Sequence, residues 1–278
     1  MKMEPQVILK YFSITFLWSW VCWSIPIMFG LTLDNVITLI FFALGGIAPS
    51  ATGILCAYLK RDREYLKDFR NRILDFSLID KGWYLIIFSL IPVTTVLGIG
   101  LDFWFTGALP QFTALNNYLS NPLALISFAV LMLINGPIVE EIGWRGFALD
   151  HLERKYNWVI SSIILASFWA LWHWPLFLIK GTYQYGLLKE SLFLFLDFNL
   201  QIYALSIIMD WIYHNNRRSI LSGILVHFCV NFFGEIFDLP GNAMMARTIV
   251  QILVAITILA YWKGKGREIK VKKLRVLG

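Results

Sequence analysis

The sequence predicts an all-α, polytopic membrane protein of about eight transmembrane helices, with its catalytic chemistry inside the helix bundle. Three observations carry that expectation. Hydrophobic residues fill 58% of the 278 positions and charged ones only 15%, with a mean hydropathy of +0.65. A soluble domain needs more polar surface than that to cover its core. The apolar residues gather into segments close to the roughly 20 residues that cross a bilayer core. The 12 Trp and 22 Phe suit lipid-facing sides and two interfacial belts.

Taken in order, the segments are residues 11–31, 36–59, 83–101, 122–146, 158–179, 192–213, 220–236 and 248–262. The first is too long and too Trp-rich for a cleavable signal, and no small-residue cleavage site follows it. The second and third enclose a basic stretch, residues 60–81. The fourth, fifth and seventh hold the ionisable residues discussed below, and the sixth and eighth complete the bundle. No linker, low-complexity stretch or repeat interrupts them, so residues 1–278 read as one membrane domain carrying a basic tail at 263–278.

Charge orients the spans. Of the 24 Lys and Arg, Arg145 lies within a span, and Lys180, Lys189 and Arg247 fall in loops on one side. The remaining twenty fall on the other, which is the positive-inside signature and places both termini in the cytosol. The tail then rests against anionic headgroups, which makes the lipid bilayer, and no nucleic acid, the expected partner of the +6 charge, with a nucleic-acid arm as the minor alternative. The host membrane is the plasma membrane in a prokaryote or the endoplasmic reticulum in a eukaryote. Cys22, Cys56 and Cys229 all sit within apolar segments and form no paired framework.

An ionisable residue within a span is costly and points to function. The fourth span reads Asn135-Gly136-Pro137-Ile138-Val139-Glu140-Glu141-Ile142-Gly143-Trp144-Arg145. Neighbouring helical positions point about 100° apart, so Glu140 and Glu141 cannot serve one purpose equally. Glu141 and Arg145, at i,i+4, suit a supporting ion pair, and Glu140 faces elsewhere, free for chemistry. In the fifth span His173 follows Trp169 and Trp172, which are candidates for an aromatic pocket wall. Taken alone, His173 is equally a packing residue bonded to a carbonyl. In the seventh, His227 and Asn231 share a face at i,i+4, and by themselves they suit interhelical glue. Depth unites these groups. Glu140 lies on the order of 21 Å from Arg154, His173 about 25 Å beyond Lys155, and His227 and Asn231 roughly 14 and 20 Å beyond Arg218. One slab of membrane holds all four.

A carboxylate and a histidine beside a confined water can act as general base and orienting partner. A second histidine with an amide offers N–H donors to an oxyanion. That set suffices for peptide hydrolysis by direct water attack without a cofactor. Zinc is the alternative, since Glu140, His173 and His227 are legitimate ligands. No H-E-x-x-H motif occurs, however, and Asn231 is a poor ligand but a good oxyanion donor.

The motifs Glu140-Glu141-x-x-x-Arg145, Trp169-x-x-x-His173 and His227-x-x-x-Asn231 resemble, in order and on separate spans, those of the CPBP/Abi intramembrane proteases. Within that family the chain is most similar to the Ras-converting type II CAAX prenyl endopeptidases. One departure is Trp169, where the family's second motif usually opens with Phe. The resemblance implies cleavage of the C-terminal tripeptide from prenylated CAAX proteins, which makes prenylated protein or peptide C-termini the partners. It also implies that Glu140 and His173 activate water while His227 and Asn231 hold the oxyanion, with no metal. Two other classes compete, a transporter and a non-catalytic immunity-type scaffold. Clustering of the polar residues in one slab argues against a transport path, and the complete motif set argues against a scaffold.

The charge asymmetry is checked by cysteine-accessibility labelling. Positions 61–81, 217 and the tail are expected to react from the cytosolic side, and labelling of residues 112–120 from that side would overturn the orientation.

Overall fold

Helix formation in hydrocarbon satisfies every backbone polar group within its own segment, and the protein follows that rule in all but two of its spans. The structure is a computed structural model describing residues 5–264. Among these residues eight helices are long and apolar enough to cross a membrane: Gln6–Met28, Val36–Leu59, Lys81–Thr106, Pro122–Leu152, Trp158–Leu178, Leu192–Asn215, Ile220–Phe237 and Gly241–Lys263. No β-strand occurs among the described residues. Local chemistry sets several starts. The side chains of Asn121, Asn157 and Ser219 accept the free N–H groups of Ala124, Ile160 and Ser222 at the heads of the fourth, fifth and seventh spans.

Each span lies where hydropathy puts it, with one consequential shift. The eighth begins at Gly241, seven residues before the expected 248, because the polar Asn242, Arg247 and Thr248 are helical and part of the bundle. Arg247, expected in a loop, is a buried intramembrane residue. Apart from Lys263, the basic tail lies outside the described residues.

Two spans are not continuous α-helices. The second divides at Ile47 into Val36–Gly46 and Ala48–Leu59. The fourth runs regularly over Pro122–Leu133 and then breaks, with Asn135 at ψ 91° and Gly136 at φ 116°. That positive φ is disfavoured for any residue with a Cβ, and Pro137 brings no N–H to the ladder. Ser50 of the second span satisfies a carbonyl at the break, donating its hydroxyl to Ile138 O at 3.0 Å.

The two broken spans cross at close range on glycines. A Cβ on Gly53 would stand 2.9 Å from Gly143 Cα, and one on Gly143 would strike the Pro49 carbonyl. Small residues at such a crossing are how membrane helices maximise packing where no water is available to drive them together. Around the crossing lies an aromatic core of Tyr11, Phe12, Trp144, Phe147 and Phe168, in which the Phe12 and Phe168 rings stack at 3.8 Å.

On the basic side, helix Arg63–Leu74 lies across the bundle and buries Tyr65, Phe69 and Arg72. Arg72 donates to Asp68 at 2.9 Å and to the Tyr213 hydroxyl at 2.9 Å, and it stands 3.5 Å from Asp150. Arg218 also pairs with Asp150. Burial pushes the Tyr65 phenol up to about 12, and burial followed by Arg154 pulls Lys60 down to about 8. Of this loop's basic residues Arg72 is spent inside the protein, while Arg61, Arg63, Lys67, Arg70 and Lys81 are exposed.

The crossing predicts a sharp contrast between two glycines. Gly143→Ala is expected to destabilise the protein by about 3 kcal/mol, the upper range for overpacking. Gly46→Ala, with nothing within 4 Å of its added Cβ, should leave the thermal melt of the detergent-purified protein unchanged. Equal melting of the two variants would refute the close crossing.

Candidate active site

The break at Asn135–Gly136 ends one helix and starts another inside the membrane, so Glu140 and Glu141 occupy the first turn of the segment Val139–Gly143. A helix start favours negative charge, because its leading N–H groups carry partial positive charge. The carboxylates diverge there, as the helical period requires. Glu140 is 6% exposed, and its Oε2 accepts the indole N–H of Trp169 at 2.7 Å. Glu141 is fully buried and turns the other way. It takes Arg145 Nη1 at 2.5 Å on one oxygen and faces His227 Nδ1 at 2.8 Å with the other.

Arg145 is the centre of this second network. It too is fully buried, and its Nε lies 3.0 Å from Asp210 of the sixth span. Asp210 in turn accepts the Ser162 hydroxyl of the fifth. The guanidinium stands over the Trp169 ring, 5.4 Å from its centroid. Gly223 of the seventh span leaves room for the pair, since a Cβ there would meet Arg145 Cδ at 3.1 Å and Glu141 Oε2 at 3.3 Å.

Three polar atoms converge on the bare face of Gly136. The position a Cβ would take is 2.6 Å from Asn231 Nδ2, 3.6 Å from His227 Nε2 and 3.7 Å from Glu140 Oε1. Asn231 Nδ2 also donates to Asn135 O at 3.4 Å, a carbonyl released by the break. The shared face of His227 and Asn231 is thus directed at Glu140 across the gap that the glycine leaves.

The ring nitrogens are assigned by their partners. The Nδ1 of His227 faces a carboxylate already paired with arginine, so Nδ1 carries a proton and Nε2 is presented to the Gly136 gap. His173 Nδ1 lies 2.8 Å from the carbonyl of Trp169, an acceptor only, so Nδ1 donates and the neutral ring keeps its lone pair on Nε2. Among the described residues no hydrogen bond joins His173 to Glu140. The indole of Trp169 stands between them, bonded to Glu140 and with ring centroids 6.1 Å from His173 and 5.3 Å from His227. The helix ends at Trp172, with His173 as its cap and a 3-10 turn, Trp174–Leu178, carrying Pro175 beyond it.

The two tryptophans expected to line a pocket are buried to 3% and 2% exposure. Trp169 holds the Glu140 carboxylate. Trp172 packs on Trp23 and Trp144 and donates its indole N–H to Ser19 at 2.7 Å, which is a packing position. Cys229 is fully buried. Among the described residues no three His, Cys, Asp or Glu side chains are grouped so as to hold a metal ion. Asp210 and Ser162 escaped the sequence reading, although an intramembrane carboxylate in the sixth span satisfies the same criterion that singled out Glu140.

A family model described as type II CAAX prenyl endopeptidase, Rce1-like, matches residues 122–233, the stretch carrying every residue above from the fourth to the seventh span. CAAX prenyl protease 2 of Methanococcus maripaludis is 31% identical over 265 residues, covering 94% of this chain and 95% of that protein. Fold and site together define an integral membrane endopeptidase. The chain belongs to the Rce1-like type II CAAX prenyl endopeptidase family.

The buried network gives a stability prediction. Asp210→Ala removes one of the two carboxylates that neutralise Arg145, and breaking a buried ion pair in this way costs about 3–5 kcal/mol. Asp210→Asn keeps an oxygen acceptor and is expected to lose less. A melt for Asp210→Ala matching the unaltered protein would show that Glu141 alone balances the charge.

Proposed function

We propose that the protein removes the C-terminal tripeptide from prenylated CAAX proteins by direct attack of water on the scissile carbonyl, at a site reached from the cytosolic side of its membrane. The observation that carries this reading is the convergence of Glu140, His227 and Asn231 on the gap beside Gly136. A carboxylate there can take a proton from a confined water, and His173, with its Nε2 lone pair, shares that task. The hydroxide adds to the carbonyl carbon, and negative charge develops on the carbonyl oxygen. Asn231 Nδ2 supplies one N–H to that oxyanion. His227 presents its Nε2 to the same gap, and with that nitrogen protonated it supplies the second donor. Collapse of the tetrahedral intermediate breaks the C–N bond, and the proton held by Glu140 passes to the departing amine.

Arg145 and Asp210 act at one remove, Arg145 holding Glu141 in place and Asp210 holding Arg145. The prenyl chain favours delivery to such a site, since each buried CH₂ contributes about 0.8 kcal/mol and draws the modified cysteine into the bilayer. The basic loop and the tail fit a cytosolic orientation of both termini, with the bilayer as the second partner.

The test incubates purified protein with a prenylated CAAX peptide, with and without chelator, and reads the products by mass. Loss of the tripeptide mass in both conditions is expected, with Glu140→Ala abolishing it. Asn231→Ala and Asn231→Asp should each lower kcat by about 10²–10³, since both remove an oxyanion donor. An active Asn231→Asp enzyme, inhibited by chelator and restored by zinc, would replace this reading with a metalloprotease, for which a carboxylate is a competent ligand.

A further inference from the structure

A second cluster of intramembrane polar residues lies apart from the water-activating groups, on the far side of Asn231 from the basic face. Its cation is Arg247 of the eighth span, 5% exposed. A buried guanidinium normally sits on a carboxylate, as Arg145 does. Among the described residues none lies within 4 Å of Arg247. Its partners are neutral. The side-chain amide of Gln201 lies 3.2 Å from Nη2 and 3.3 Å from Nε and, with its oxygen turned to them, accepts from both. The Tyr183 hydroxyl is beside the guanidinium. The nearest acids act only at longer range. Asp197 is occupied by the Thr248 hydroxyl at 3.0 Å, and Glu235 is exposed.

Nη1, which the Gln201 amide does not reach, points toward the seventh span. It lies 3.7 Å from where a Cβ on Gly234 would stand, and nothing else comes within 4 Å of that point. Gly234 is three residues beyond Asn231, so the two share a helical face about 4.5 Å apart along the axis. Adding side-chain reach, the path from the Asn231 amide past Gly234 to the guanidinium is on the order of 10 Å. Three extended residues span about 10 Å.

Resting on the activity proposed above, we infer that Arg247 binds the terminal carboxylate of the substrate and thereby sets the cut three residues from the chain end. With the scissile carbonyl at Asn231, the departing tripeptide runs over the bare backbone of Gly234, and its carboxylate meets Nη1. An arginine held on its Nε–Nη2 edge by an amide keeps its remaining donors for an anion. On the other face, the buried Arg72 and its neighbour Arg218 are already paired with Asp150.

The experiment compares one prenylated CAAX peptide as the free acid and as its C-terminal amide. The unaltered protein should prefer the acid by about 10- to 100-fold in kcat/KM, mostly through KM, as for loss of a charged hydrogen bond. Arg247→Gln should lose the preference, its kcat/KM for the acid falling to that for the amide. That selective loss is something a purely structural role would not produce. Should Arg247→Gln fail to fold, Arg247→Lys carries the test, retaining the charge but not the fork, with a reduced preference expected. Equal cleavage of acid and amide by the unaltered protein, or an undiminished preference in the variants, overturns the assignment of Arg247 and leaves the activity standing. Absence of cleavage of either peptide removes the activity and this inference together.

Discussion

One buried charge organises the bundle. The Arg145 guanidinium has no access to water, so its charge must be answered from within the protein. Glu141 answers from the same helix, Asp210 from the sixth span and Trp169 from the fifth through its ring face. Because Glu141 also takes the ring of His227, the seventh span is drawn into the same register. Four helices are rotated to serve a single cation, and the faces they turn inward for it place the reactive groups on the neighbouring side.

The helix break supplies what the ion pair cannot. An unbroken α-helix has no space beside its backbone for a substrate and no free carbonyl to position an amide. At Asn135 and Gly136 the chain leaves the helical ladder, which is tolerable in hydrocarbon only because protein groups take up the freed polar atoms. Ser50 and Asn231 do so. The glycine's missing side chain is the gap on which Glu140, His227 and Asn231 converge. The strained backbone and the convergence of these three side chains coincide at this position.

Much of this was legible in the sequence, and the reason is locality. Span positions follow from hydropathy, and the pairing of Glu141 with Arg145 and the shared face of His227 and Asn231 follow from the helical period. Contacts between spans were not legible, because they depend on how each helix is rotated about its axis, which no local pattern states. The Trp169 bond to Glu140 is of this kind: an indole read as a pocket wall is a donor to the carboxylate. So is Asp210, whose partner lies 65 residues earlier in the chain. Arg247 was misplaced for a different reason. Hydropathy pushes a charged residue out to a loop, whereas Gln201 and Tyr183 of other segments make its burial tolerable.

The i,i+4 placement of Glu141 and Arg145 also bears on biogenesis. A nascent fourth span must enter the bilayer before the sixth and seventh have been synthesised. Because acid and base sit one turn apart on the same helix, the segment can neutralise itself during insertion and needs no later partner to cross the barrier. Asn231, by contrast, emerges from the ribosome 95 residues after Gly136. The half-made chain therefore holds a membrane-compatible ion pair, and Glu140, His227 and Asn231 converge on Gly136 only when the seventh span docks.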